Sequence, residues 1–265
     1  MDLKTDKQGL GEKMEPIRLE AAQGMQWIKK GYALFMKAPL LWIVLLAICF
    51  VTAAGVTAVP VIGEPLVSLL MPVAVIGLMA GCRSLELGDD LELMHLFCGF
   101  QRHTSHLITL GGIALVGQYL IFGVMMMVGG AALVGILMNS QVAVPPDVIQ
   151  QAVAGAGAAV MIGVALFGLL LMAMQFAPML VFFRDVPPYD AMRLSLRAFT
   201  HNVGAMFVYG MAFLLLAILA SMPMMLGWLI LMPMVFTSLY ASFCDIFPEP
   251  VITATAVEQD DQAHF

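Results

Sequence analysis

Residues 203–244 read VGAMFVYGMAFLLLAILASMPMMLGWLILMPMVFTSLYASFC, a run of 42 residues without one Asp, Glu, Lys, Arg or His. As one helix it would be about 63 Å long at 1.5 Å per residue, twice the roughly 30 Å hydrocarbon core of a bilayer. The length therefore asks for two crossings. Ser221, Pro223 and Gly227 are the residues on which the chain turns back. Two further stretches have the same character: 38–82 contains only Glu64, and 107–183 contains only Asp147. In the first, Pro60, Gly63, Glu64 and Pro65 form a tight turn. In the second, Asn139, Ser140, Gln141, Pro145, Pro146 and Asp147 form a short polar loop. The spans are expected at 39–60, 65–82, 107–138, 152–183, 203–222 and 225–244. The third and fourth exceed what a bilayer requires and so tilt or project.

The whole chain agrees with this reading. Of 265 residues, 61% are hydrophobic and 11% charged, against about 25% charged in soluble domains. Its mean hydropathy is +0.94. A soluble domain of about 300 residues buries only ~75% of its unfolded surface, too little to hide this apolar load. The composition excludes a soluble globule, a disordered chain and a nucleic-acid binder. The expected class is all-α: a polytopic transmembrane bundle of six spans in three hairpins, each preceded by an interfacial amphipathic helix. A polar tail over 1–17 and an acidic tail over 248–265 flank a single membrane domain, 18–247. The first 37 residues are polar and mixed in charge, unlike a cleaved signal, so the first span is expected to serve as the targeting signal.

Basic residues set the orientation. Lys4, Lys7, Lys13, Arg18, Lys29, Lys30 and Lys37 precede the first span. Arg83 and Arg102 follow the second, and Arg184, Arg193 and Arg197 follow the fourth. Six spans put all of them on one face, which is then cytoplasmic together with both termini. The three amphipathic segments lie on that face. Ala21, Met25, Ile28, Tyr32 and Phe35 recur at helical spacing. Trp27, Lys29, Lys30 and Trp42 stand as headgroup-level anchors beside them. Asp89 or Asp90 is expected to cap a second segment carrying Leu91, Met94, Phe97 and Cys98 and ended by Gly99. Asp190 is expected to cap a third carrying Ala191, Leu194 and Ala198.

Few residues offer chemistry. Gly77 with Gly81, and Ala159 with Gly163, are small-xxx-small pairs that bring helices close, within the monomer or at a dimer seam. Gln118 and Gln175 lie about 16 Å and about 12 Å of helix rise from the cytoplasmic ends of their spans. That near match suggests an amide contact between the two helices, or a polar patch in a substrate path. The 23 methionines include Met125–Met127 and Met222, Met224 and Met225. Adjacent helical residues diverge, so these runs read as packing rather than as a Cu(I) site. His95, Cys98, His103 and His106 share one loop; their spacing fits no standard zinc motif and reads as a polar collar. Asp185 and Asp190 stand near Arg184 and Arg193 as loop ion pairs. The cysteines Cys49, Cys82, Cys98 and Cys244 have no disulfide spacing. The spans contain no acid or base, and no phosphate loop or hydrolase motif is present. No catalytic residue, cofactor or metal is therefore expected, and the chain is not expected to be an enzyme.

The segment Trp27, Gly31, Leu34, Phe35, Pro39, Trp42 and the closing run Pro233–Phe247, with Tyr240, Ala241, Ser242 and Asp245, resemble an uncharacterised family of polytopic inner-membrane proteins of proteobacteria. The resemblance spans residues 20–247. It implies a helical bundle in the bacterial inner membrane and brings no activity with it. Two functions follow as expectations. One is a scaffold or accessory subunit binding lipid, a membrane-protein partner or a second copy. The other is a transporter or channel for a small or apolar substrate, lined by Gln118, Gln175, Tyr119, Tyr209, Thr237, Ser238 and Tyr240.

Overall fold

The computed structural model describes residues 15–130, 134, 135, 138 and 145–249. Among them no strand occurs, and six helical stretches are long and apolar enough to cross a membrane. Helix α1 is Gln23–Lys37 and α2 is Pro39–Thr57. Proline drives the residue before it out of helical geometry, so Ala38 breaks the chain between them, and Pro39 opens α2 at a position where no N–H is needed. Helix α3 is Gly63–Leu87 and closes on Gly88, which takes the left-handed conformation at φ 93°. A 3-10 turn, Leu93–Phe97, runs into one helical turn, Cys98–Gln101, before α4, Thr104–Met125. Then come α5 (Pro146–Gln175), α6 (Ala177–Arg184), α7 (Pro188–His201), α8 (Val203–Ser221) and α9 (Trp228–Ile246).

Glycine closes two hairpin turns. A Cβ on Gly63 would strike the Val56 carbonyl, and one on Gly227 would lie 2.5 Å from Ala220 Cα. The second spacing shows how tightly the 42-residue run folds back on itself.

Several expected boundaries shift. The second span begins at Gly63 and extends to Leu87. The third begins at Thr104 and runs to Gly130, with a kink at Gly129; residues 131–133, 136 and 137 lie outside the described set. The loop expected at 139–147 falls mostly outside it as well, and Pro146 and Asp147 open α5 instead, proline taking the first helical position. The fourth span is broken rather than continuous. Pro178 has no N–H to return to residue 174, and Ser195 of α7 enters the opened ladder. Its hydroxyl donates to Met172 O at 2.6 Å and accepts the Phe176 N–H at 3.2 Å.

The caps also differ. Glu92, not Asp89 or Asp90, starts the second amphipathic segment, in a capping box with His95. Gly99 does not end it but packs on Val73, where a Cβ would sit 2.6 Å from a carbonyl oxygen. Leu91 is buried while Met94 and Phe97 are exposed, because a 3-10 turn rotates the side chains off the α-helical stripe. Asp190 stands inside the first turn of α7, where the helix dipole favours a carboxylate, and Pro187 holds the cap position. Ala191, Leu194 and Ala198 form the buried face of that helix, as its spacing predicts.

The core lies at one end of the bundle. In α2 only Trp42 and Leu45 are buried, in α4 only Leu107, Leu110 and Gly111, and in α8 only Ala205 and Met206; all belong to the helix starts. Helices α3 and α9 supply the central stretches 73–85 and 231–247, and α6 is buried from Ala177 to Val181. The hairpin ends opposite are covered by exposed apolar side chains.

Candidate functional site

Polar side chains gather at this packed end, and several of them join elements distant in sequence. Asp245, on the last turn of α9, accepts hydrogen bonds from Gln23 Nε2 at 2.8 Å and Trp27 Nε1 at 3.0 Å, and pairs with Lys30 Nζ at 2.7 Å. A carboxylate 20% exposed has lost much of its hydration, and these three donors replace it. They hold α1 along α9, where Gly31 lets the backbones meet: a Cβ there would lie 2.6 Å from Ser238 N. Gly24 makes the same approach to Ala205 and Tyr209 on α8. Helix α1 is thus wedged between the last two spans. Trp27 stacks edge-on against Tyr209, whose hydroxyl bonds Ser238 at 2.8 Å.

The segment before α1 is tied down too. Asn202 accepts the Leu19 N–H at 2.8 Å and donates to Ile17 O at 2.9 Å, and the Ile17 N–H donates to Ile246 O. The polar tail expected to end at residue 17 therefore enters the fold at that residue. Just past α9, Glu249 lies between Arg83 Nη2, 2.9 Å away, and Arg184 Nη1, 3.1 Å away. These guanidiniums hold the Glu249 carboxyl below the usual carboxylate range, Arg184 contributing most. Tyr240 donates to Glu86 at 2.7 Å. Arg102 and His103 both reach Asp185. The expected loop pairings are thus exchanged: Arg184 takes Glu249, and Asp185 takes Arg102. Arg193 stacks on the Tyr189 ring at 5.8 Å.

Trp27 and Trp42, expected as headgroup anchors, are fully buried, because each falls on the face of its helix that meets the core. Lys29 is exposed, and Lys30 is committed to Asp245. Gly77 faces Leu96 and Gly81 faces Leu91, so this pair packs on the Leu93–Phe97 segment and its approach rather than on another span. Ala159 and Gly163 are buried, Gly163 against Met125.

Gln118 and Gln175 do not meet. Gly117 lies on Leu170, which sets Gln175 five residues, or about 8 Å, further along the helix pair. Gln118 faces outward among exposed Val116, Tyr119 and Leu120. Of the remaining candidate lining, Tyr209, Thr237, Ser238 and Tyr240 sit in the packed end, and Thr237 and Ser238 direct their hydroxyls to carbonyls of their own helix. Tyr119 stands apart from them.

His95 bonds Ser84 and Glu92, and His103 stacks on His106. No group of His, Cys, Asp or Glu suited to a metal ion occurs among the described residues. Burial pushes the Cys98 thiol up, keeping it protonated and weakly nucleophilic. Asp245, Asn202, Ser195 and Glu249 escaped the sequence reading as structural ties. The available signal was an acid or amide directly abutting a charge-free run, where a polar group needs a partner.

The chain is 32% identical over 246 residues to a probable inner membrane protein of Burkholderia thailandensis, an alignment covering 91% of this chain and 89% of that protein. No family model matches the chain, and no solved structure matches it. Identity at this level across nearly the whole length, with six apolar helices of spanning length, makes the chain a member of the same family of polytopic inner-membrane proteins.

Proposed function

We propose that the protein is a non-enzymatic scaffold or accessory subunit, with both termini cytoplasmic, that binds another membrane protein through the outer faces of its spans. Gln118 carries this reading. Its amide is exposed midway along a spanning helix and has no hydrogen-bond partner among the described residues. An amide left alone in hydrocarbon costs several kcal/mol, roughly 4–8 on a scale without compensating bonds. A polar group on a neighbouring transmembrane helix removes that penalty. The small-residue and aromatic surroundings of α4 suit such a contact, and the polar seam at the packed end keeps the chain rigid without one.

The orientation rests on the basic residues, which collect at the packed end. Single cysteines introduced into either tail should be shielded from an impermeant thiol reagent in intact cells and react after permeabilisation. For the partner, a photo-crosslinking residue at 118 should yield one adduct of defined mass in native membranes. Gln118→Leu should abolish that association without lowering the melting temperature of the isolated protein. Crosslinking to lipid alone, at 118 and one turn to either side, defeats the proposal. An adduct at twice the chain mass identifies the partner as a second copy.

A further inference from the structure

We propose that α7 carries a binding site for anionic phospholipid, formed by Arg193 and Arg197. The helix is amphipathic: Ala191, Leu194, Ser195 and Ala198 are buried, and Tyr189, Arg193 and Arg197 are exposed on the opposite side at intervals of four residues. Three other arginines each have a carboxylate: Arg83 and Arg184 hold Glu249, and Arg102 holds Asp185. Arg193 and Arg197 have none among the described residues. Tyr189 packs its ring on Arg193 and so restrains the guanidinium without neutralising it.

The position of α7 identifies the ligand. Large exposed apolar residues run along α5 through Phe167, Leu169 and Leu171 to Met172, and stop where Phe176 and α6 turn into the core. Ser195 is bonded to that last exposed residue, through Met172 O. At its other end α7 passes within two residues into α8, whose exposed Val203 and Phe207 resume the apolar surface. This contact and the continuity into α8 set the helix along the edge of the exposed apolar surface, the level we assign to the headgroups. Two unneutralised guanidinium forks one turn apart match a phosphodiester bearing net negative charge, since the planar fork accepts phosphate oxygens bidentately. Zwitterionic lipid offers the same phosphate with its charge cancelled, so the site distinguishes the two by charge. The inference goes beyond the scaffold reading and does not depend on a protein partner.

The test uses the purified full chain in detergent, offered equal amounts of phosphatidylglycerol and phosphatidylcholine, with bound lipid counted by native mass spectrometry. One basic residue near an anionic surface is worth roughly a fivefold change in affinity. The parent should prefer phosphatidylglycerol, Arg193→Gln and Arg197→Gln should each lose about fivefold, and the double variant about 25-fold. Lys29→Gln, on the exposed side of α1, should change nothing. Equal retention of both lipids by the parent overturns the site, as does a double variant that binds phosphatidylglycerol like the parent. If the double variant does not fold, the two single variants decide the question. Failure here leaves Gln118 crosslinking unaffected, so the two proposals fail separately.

Discussion

At the scale of single residues, Asp245 matters most, because three donors from α1 converge on it. Asp245→Ala would leave the Trp27 N–H buried without an acceptor, whereas Lys30→Gln removes only a half-exposed partner. Stranding a buried donor costs about 1–3 kcal/mol, and an exposed ion pair about 0–1 kcal/mol. We expect Asp245→Ala to lower the melting temperature in detergent well beyond Lys30→Gln, with a red shift in tryptophan emission. Equal effects would show that the charge pair, not the indole contact, does the holding. The need of this residue was legible in the sequence, since an acid abutting a charge-free run must find donors. Its partners were not, because they lie 215–222 residues away and no local pattern links them. Trp27 and Trp42 misled for a related reason. A tryptophan at the edge of a span suits the headgroup region and a core equally, and only the packing of other elements chooses.

At the scale of elements, α1 shows how helical periodicity names a face without fixing its contact. Ala21, Met25, Ile28, Tyr32 and Phe35 make the most apolar stripe, yet Gly24, Trp27, Ile28, Gly31 and Phe35 are buried, and Met25 and Tyr32 are exposed. Where apolar surface is cheap on every side, close backbone approach decides, and that favours the glycine face. Gly31→Leu should therefore displace α1, since the Ser238 backbone cannot yield, and such overpacking costs typically 1–3 kcal/mol or more. Tyr32→Ala on the same helix should stay within about 0.5 kcal/mol. Comparable losses from both would mean that α1 is held by apolar area alone. The two guanidiniums that meet Glu249 give a pH dependence. Its carboxyl is depressed in the folded state, so its contribution is complete above the unfolded carboxylate range and disappears as pH falls through the folded value. Because Glu249 is 60% exposed, the effect is small. A Glu249→Gln variant should match the parent in acid and melt slightly lower at neutral pH; a parent–variant gap that widens toward acid would contradict this.

At the scale of the whole molecule, the hairpin count was legible because the length of a charge-free run is a physical quantity set against bilayer thickness. The concentration of the core at one end was not. It arises from long-range closure, in which the segment before α1 bonds the ends of α7 and α9, and α1 itself lies between α8 and α9. Closure has a consequence for biosynthesis. Helix α1 emerges first, but the surfaces that meet Trp27 and Gly31 are translated last. Until then α1 lacks the surfaces of α8 and α9 that cover most of its buried face, and lipid at the membrane surface is its available solvent. A chain ending at His201 should therefore insert its first four spans yet leave α1 open to trypsin at Lys29 and Lys30 in inverted membrane vesicles. The full chain should resist cleavage there, because Lys30 is paired and the backbone is packed against Ser238. Adding residues 203–249 as a separately expressed segment should restore the protection, since the interface needs proximity and not covalent continuity. Trypsin resistance of α1 in the shortened chain would mean that the helix docks elsewhere first, and that the last hairpin joins an assembly already closed.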